Sequence, residues 1–374
     1  MDYRNGYMLK GALARRGYDW WWHSLIGVSR ETGERQPFFI EYFVVNPALG
    51  GAEPVLGQLP ENQSKGIKPS YAMMKAGTWM PGKTVQIHNF YGIEQFSVVS
   101  DPLRVRIGEH EVTETYLKGS VCLSAEDAAA HPEFMSETGE MSWDLKAEKK
   151  LSFSVGYGAS PLFRALHVFE MFWHAEGVLT YYTGTISFNG EVFDVSPETC
   201  GGYQDKNWGK DYTDLWVWLN CNNFTDRKTG QKLNLTSLDV GGAQPVMWGI
   251  ALPKRLLIAF YHEGKFYEFN FSKFWMAPSQ TVDCRLTDEE AIWNLEAKTS
   301  KARIKIYFTC PRSHMHLFNY ENPDGQKRHR DLWNGGWASG YVELYEKVNG
   351  KEELVGIFDG EMGGCEYGEA VPKK

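Results

Sequence analysis

Nine residues concentrate more chemistry than any other stretch of this chain. Gly201-Gly202-Tyr203-Gln204-Asp205-Lys206-Asn207-Trp208-Gly209 carries an acid, a base, an amide and an indole between glycines. In an extended strand, Tyr203, Asp205 and Asn207 share one face, and Gln204, Lys206 and Trp208 share the other. The next run, Leu215-Trp216-Val217-Trp218-Leu219-Asn220-Cys221-Asn222, places Trp216, Trp218, Asn220 and Asn222 in line, with Leu215, Val217, Leu219 and Cys221 behind them. Large apolar walls with a few fixed polar groups are what a small-molecule cavity needs. Asp205 in such a pocket is a candidate general acid, because desolvation keeps a carboxyl protonated at neutral pH. Its alternative is structural, an ion pair with Lys206 or a turn cap.

Other candidates lie elsewhere in the chain. Phe38-Phe39-Ile40-Glu41-Tyr42-Phe43-Val44-Val45 is apolar on both faces except at Glu41. Such a carboxylate is costly to bury unless it is protonated or paired. Glu41 is thus a second candidate acid or half of a buried ion pair. His88, Asn89 and His174 are candidate proton shuttles or orienting groups, set against the plainer role of hydrogen-bonded core residues. The Trp20-Trp21-Trp22-His23 cluster either lines a pocket through Trp22 or plugs one end of a barrel. His314-Met315-His316 puts two imidazoles on one strand face, but no third ligand follows at a telling spacing, so no metal is expected.

The elements that position these residues read as strands. Trp20 to Val28, Phe38 to Val45, Val85 to Tyr91, Phe96 to Val99, Leu103 to Ile107, Trp143 to Tyr157 and Arg303 to Phe308 are β-forming runs. Hairpins are marked by Asn189-Gly190, His262-Glu263-Gly264 and Asn349-Gly350. Helical signals are few: Ser124 to Met135, Pro161 to Trp173, and a capping-box form at Thr287 to Glu290, which competes with a strand through Trp293 to Ala297. Residues 46–70 read as a long loop. The pattern is all-β, with a domain join near 194–201, giving domains 1–196 and 197–374.

The chain has 374 residues, 14% aromatics, 14 Trp and a formal charge of -8. That charge, with no basic stripe, argues against nucleic acid or an anionic membrane as partner. No Gly-x-Gly-x-x-Gly, P-loop, Gly-x-Ser-x-Gly or His-Glu-x-x-His is present, so neither nucleotide cofactors nor those hydrolase chemistries are suggested. The six cysteines are scattered without Cys-x-x-Cys. With no apolar h-region in Met1 to Gly27 and no spanning run, a cytoplasmic protein with reduced thiols is expected.

Gly202 to Gly209 followed by Trp216-Val217-Trp218-Leu219-Asn220-Cys221-Asn222 resembles the central signature of the tocopherol cyclase-like family. That signature is Gly-Tyr, an acidic residue, Lys, Asn or Asp, Trp-Gly, then Trp-x-Trp-x-x-x-Asn. Phe38 to Phe43 resembles the family's N-terminal aromatic strand, with Ile40-Glu41 where Glu-Gly is usual, and Trp333 to Tyr345 resembles its C-terminal strand. The family is related to carotenoid hydratases and lipocalin-like fungal cyclases. The resemblance implies two consecutive lipocalin-like antiparallel β-barrels and cofactor-free chemistry on a hydrophobic phenolic, prenyl or polyene substrate. The shared step is protonation of a carbon–carbon double bond, then capture by an internal hydroxyl or by water. On this reading Asp205, Glu41 and His88 are the catalytic candidates. Trp22, Asn89, His174, Tyr203, Lys206, Asn207, Trp208, Trp216, Trp218 and Asn220 are the substrate-binding ones. The competing reading is a non-catalytic carrier of an apolar small molecule.

Overall fold

The structure is a computed structural model and describes residues 2–82, 84–153, 171–199, 201–213, 215–243, 246–247, 250–251, 254–273, 275–276, 278–326 and 329–370. The chain divides into two compact units. The first takes Met1–Ser152, Glu170–Tyr212 and Asn319–Arg330; the second takes Phe153–Phe169, Thr213–Phe318 and Asp331–Lys374. The residues flanking the expected 196/197 join both lie in the first unit, as does the signature strand Gly202–Gly209.

The first unit is an antiparallel sheet of twelve strands. They are β1 Tyr18–Ser29, β2 Arg35–Val45, β3 Tyr71–Thr78, β4 Val85–Tyr91, β5 Phe96–Ser100, β6 Leu103–Ile107, β7 His110–Thr113, β8 Tyr116–Leu123, β9 Gly139–Phe153, β10 Met171–Phe188, β11 Glu191–Val195 and β12 Gly202–Gly209. The order is β4-β3-β2-β1-β11-β10-β9-β8-β7-β6-β5. Along β1, β11 pairs only with the last residues, and β12 takes over from Tyr18 to Ser24.

Side chains show that the sheet is rolled into a barrel. The Tyr42 hydroxyl on β2 donates to the Glu111 carbonyl on β7 at 2.9 Å and accepts from the Trp143 indole on β9 at 3.3 Å. These strands are far apart in the sheet order, so the contacts cross its interior. Asn89 on β4 closes the seam to β8. Its side chain donates to the Cys122 carbonyl at 2.9 Å and accepts from the Cys122 amide at 3.0 Å, which imitates a ladder pair across an open edge.

The second unit contains β13 Leu215–Cys221, β14 Phe224–Asp226, β15 Lys232–Leu233, β16 Thr236–Ala243, β17 Val246–Met247, β18 Ile250–Ala251, β19 Arg255–His262, β20 Lys265–Asn270, β21 Ser279–Leu286, β22 Glu290–Lys298, β23 Ala302–Pro311, β24 Met315–Phe318, β25 His329–Val348 and β26 Lys351–Ala370. Its main path is β20-β19-β16-β13-β26-β25-β23-β22-β21. Val217, Leu219, Ile258, Trp293, Ile306 and Val342 belong to one buried apolar core. Alternation therefore sends Trp216, Trp218 and Asn220 to the opposite side of β13.

The three hairpins form where expected. Asn189-Gly190, Glu263-Gly264 and Asn349-Gly350 all have positive φ at both residues, as a two-residue turn matching strand twist requires. The capping-box segment does not start a helix. Thr287 Oγ1 instead accepts from the amides of Glu289 and Glu290 at 3.2 and 2.9 Å, and the chain enters β22. His314 and His316 do not share a strand face, since His314 ends a 3-10 turn and only His316 lies in β24. Of the segment Pro161 to Trp173, residues 161–170 lie outside the described residues, and Met171 to Trp173 begin β10. The 46–70 loop holds a 3-10 turn at Pro47–Leu49 and a short helix at Pro60–Ser64.

Candidate active site

Strand register assembles the site. Asp205 stands opposite Trp22, Trp22 opposite Glu41, Glu41 opposite Lys75, and Lys75 opposite His88. Directly opposed residues of antiparallel strands point to the same face. One row across β12, β1, β2, β3 and β4 thus holds both sequence-predicted acids, the predicted histidine and one predicted indole. It also holds Lys75, which no motif marked. The signal was present: Lys75 is the only charge in the apolar run Tyr71 to Thr78, as Glu41 is in Phe38 to Val45.

This row lies on the opposite side of the sheet from Tyr42, hence outside the barrel interior, and the segment 319–322 covers it. Lys75 Nζ is 2.6 Å from Glu41 Oε2, with the two side chains 1% and 0% exposed. The Tyr320 hydroxyl donates to the same oxygen at 3.2 Å. Lys75 Nζ also sits 4.0 Å from the centre of the Tyr320 ring and 5.9 Å from that of Trp22, within cation–π range. Trp20 stacks on Tyr320 at 4.8 Å and Trp22 on Phe39 at 5.3 Å. Glu41 Oε1 has no hydrogen-bond partner among the described residues. Burial pushes the Glu41 carboxyl above its ordinary range, opposed by the Lys75 charge and by the Lys75 and Tyr320 hydrogen bonds.

Asp205 is 8% exposed. Its Oδ2 accepts from the Trp173 indole at 2.9 Å and from the Tyr203 hydroxyl at 3.3 Å. Tyr203 and Asn207 share its face, as alternation predicts, and Asn207 Oδ1 accepts from the Tyr18 hydroxyl at 2.9 Å. His88 is fixed at both ring nitrogens. Nδ1 donates to the Phe134 carbonyl at 2.7 Å, and Nε2 faces the Gln86 side-chain amide at 3.2 Å.

The remaining candidates are placed elsewhere. Lys206 lies on the other face of β12, fully buried, and its ion pair is with Asp19 rather than Asp205. It rests 4.2 Å from the Trp21 ring and 5.4 Å from the Trp208 ring. Asp19 Oδ2 accepts from the Met8 amide at 2.8 Å. Burial pushes Asp19 up to about 6 against the pull of Lys206, and pushes Lys206 down. His174 Nε2 donates to Asn5 Oδ1 at 3.1 Å, and Trp21 donates to the Asn5 carbonyl at 3.2 Å. The N-terminal residues therefore seal this pair inside the barrel. Asn89 serves the barrel seam.

Trp216, Trp218 and Asn220 belong to the second unit, with acids that the sequence reading missed. Trp216 donates to Glu366 at 2.6 Å and Trp218 to Asp239 at 3.2 Å. Among the described residues, no group of three or more His, Cys, Asp or Glu is placed to hold a metal, and no helix is long and apolar enough to cross a membrane.

Fold and site together define an all-β protein of two rolled antiparallel sheets, with an ion pair buried among aromatic rings on the outer face of one. The tocopherol cyclase-like family model matches residues 63–369, and the chain belongs to that family. It is 32% identical over 105 residues to a probable chloroplastic tocopherol cyclase of Oryza sativa subsp. japonica, covering 28% of this chain and 21% of that one. It is 30% identical over 127 residues to a chloroplastic tocopherol cyclase of Zea mays, covering 34% and 24%. The matches thus span about a fifth to a quarter of those relatives. Among solved structures, a Nitrosomonas europaea protein provisionally named AttH aligns over 100% of this chain and 97% of its own, at TM-score 0.49 and 11% identity. Kievitone hydratase of Nectria haematococca aligns over 93% and 88%, at TM-score 0.44 and 10% identity.

Proposed function

We propose that this protein is a cofactor-free enzyme of the cyclase or hydratase kind, acting on a hydrophobic phenolic, prenyl or polyene substrate. One observation carries the reading: Glu41, a carboxyl held above its ordinary range by burial, lies in one cross-strand row with Lys75, Trp22 and Asp205. Glu41 gives its proton to one carbon of a carbon–carbon double bond. The π electrons form the new C–H bond, and positive charge is left on the neighbouring carbon. The indole faces of Trp20 and Trp22 stabilise that cation, and Lys75 stabilises the carboxylate that remains. An oxygen then closes on the cation and loses its proton to Asp205. The oxygen is the substrate's own hydroxyl in cyclisation and water in hydration, and return of a proton to Glu41 completes the cycle. Glu41 and Asp205 are two strands apart, roughly 10 Å between backbones, which leaves the indole of Trp22 between donor and acceptor. The names of the rice and maize relatives favour cyclisation.

The test is product analysis by mass spectrometry on prenylated phenols and polyenes, with wild type, Glu41→Gln and Asp205→Asn. Cyclisation leaves the mass unchanged with altered retention, and hydration adds one water. Glu41→Gln is expected to lower turnover on the order of a hundred- to ten-thousandfold. Unchanged turnover in a folded variant removes Glu41 from the mechanism. Ligand recovered unaltered from wild type, with Trp fluorescence reporting binding, makes the protein a carrier.

A further inference from the structure

The acid row of the first unit is closed. Glu41, Lys75 and Tyr320 are 0%, 1% and 2% exposed, and Trp20, Trp22 and Asp205 are buried with them. Tyr320 is the plug. Its ring lies over the Lys75 ammonium and against Trp20, and its hydroxyl donates to Glu41 Oε2. Tyr212 and Phe43 flank it, with ring centres 5.9 and 6.2 Å away. A double bond cannot come within proton-transfer range of Glu41 while that ring is seated.

The plug rides on a segment that the sheet does not hold. Residues 319–326 lie outside every strand and helix. Their backbone closes one turn on itself, from the Gly325 amide to the Asn322 carbonyl at 2.8 Å. Side chains tie them down instead. Asn319 Nδ2 donates to Gln58 Oε1 at 3.0 Å, and Glu321 Oε1 accepts from the Gln58 amide. Asn322 Nδ2 donates to Asp211 Oδ1 at 2.8 Å, and the Pro323 carbonyl accepts from Asn46 Nδ2 at 2.8 Å. The seat is also incompletely satisfied. Asn319 Oδ1 and Asn322 Oδ1 are buried with no hydrogen-bond partner among the described residues. Lifting the segment gives both oxygens to water, which offsets part of the bonds lost. Segments held by few contacts open locally, at a lower free energy than global unfolding.

We infer that residues 319–326 are a strap that lifts Tyr320 off the acid row, and that this opening gates access to Glu41. The inference rests on the proposed function for what the gate admits, an apolar molecule whose double bond reaches Glu41, and not for the opening itself. Seated, the strap keeps water off the Glu41–Lys75 pair. Lifted, it bares the groups that Tyr320 touches: the Glu41 carboxyl, the Lys75 ammonium and one face of Trp20.

The test labels lysines of the full chain with an N-hydroxysuccinimidyl ester and maps them by mass spectrometry, across a urea series below the unfolding transition. Lys75 is sealed while Tyr320 is seated, so its labelling rate reports the strap. Local lifting exposes little surface, so a Lys75 rate nearly independent of urea is expected. A rate that climbs in parallel with global unfolding overturns the inference, and this measurement needs no variant. Gln58→Ala removes one tie and is expected to raise the Lys75 rate roughly fivefold, with Lys206 labelling unchanged. An unchanged Lys75 rate in that variant, or an equal rise at Lys75 and Lys206, also overturns it. Gate and chemistry are separated by linking strap to loop through Gln58→Cys and Asn319→Cys with a short reducible bis-maleimide. The background is Cys122→Ser, because Cys122 is exposed. Loss of both Lys75 labelling and turnover, restored by reduction, supports both readings. Labelling that persists in the bridged protein overturns the strap. Turnover that persists while Lys75 stays unlabelled supports the strap and sinks the catalytic reading alone.

Discussion

Among the described residues, the first unit holds two carboxylate–lysine pairs sealed from solvent, and they differ in what completes them. Asp19 and Lys206 lie inside the barrel. The second oxygen of Asp19 accepts from the Met8 amide, Lys206 lies over the Trp21 ring, and residues 2–8 close the end. Glu41 and Lys75 lie on the outer face of the same strands, where one oxygen of Glu41 has no partner among the described residues. A buried pair is stable only when its remaining lone pairs and protons are also satisfied. The interior pair has both carboxylate oxygens satisfied and its ammonium over indole rings, and reads as structure. The outer pair keeps acceptor capacity in reserve, which is what a group that must exchange a proton requires. Strand alternation explains why the signature lysine and the signature acid, adjacent in sequence, are not paired: one step along the strand sends them to opposite faces.

Removing each pair whole is the strongest way to break this comparison. Glu41→Leu with Lys75→Met is expected to cut turnover roughly a hundredfold or more while leaving the protein folded. Asp19→Leu with Lys206→Met is expected to keep turnover, since apolar replacement of a complete buried pair is often neutral or stabilising. Product formation by the four-residue set decides it, and silence of the interior double variant would make both pairs functional. Breaking the interior pair singly should cost stability instead. Asp19→Asn leaves Lys206 buried without its counter-charge, and a loss of about 3–5 kcal/mol is expected in urea unfolding.

Another buried carboxyl sharpens the contrast. Glu321 is held by the amides of Gly57 and Gln58 and by the Tyr71 hydroxyl, and burial pushes it up to about 8. The native chain then keeps a proton that the unfolded chain releases above its ordinary value of 4.5. The native state binds more protons, so this contribution is complete below that value and is lost as pH rises toward the native one. Glu321→Gln should flatten that fall, an effect on the order of a few kcal/mol, read from unfolding curves taken across the window. A profile identical to wild type would show that Glu321 is ionised in the fold. The smallest effect belongs to the seam. Asn89→Ala removes two partly exposed hydrogen bonds and is expected to cost about 1 kcal/mol with turnover unchanged. A large loss of turnover would return Asn89 to the site.

Much of the architecture was legible because strand alternation and turn chemistry are local. The positive-φ dipeptides marked three hairpins, and the period of two assigned Asp205 and Lys206, and Trp218 and Leu219, to opposite faces. Readings failed where a local signal had two outcomes. The Thr287 hydroxyl satisfies amides in a helix cap or in a turn, and here the β22 ladder decided for the turn. Tyr320, Asp19 and Glu366 went unmarked because each is ordinary within its own segment, whereas Lys75 carried the lone-charge signal that had marked Glu41.

From the sequence alone came the strand class, the side each residue takes within its own strand, and the suspicion attached to a lone carboxylate among aromatics. Which strands lie side by side, and in what register, was decided only by the tertiary structure. Register depends on summed burial across residues far apart in the chain, and a slip of one position would turn every side chain over. That sum set Glu41 against Lys75, with Asp205 two strands away, and brought Tyr320 from near the far end of the chain to cover them.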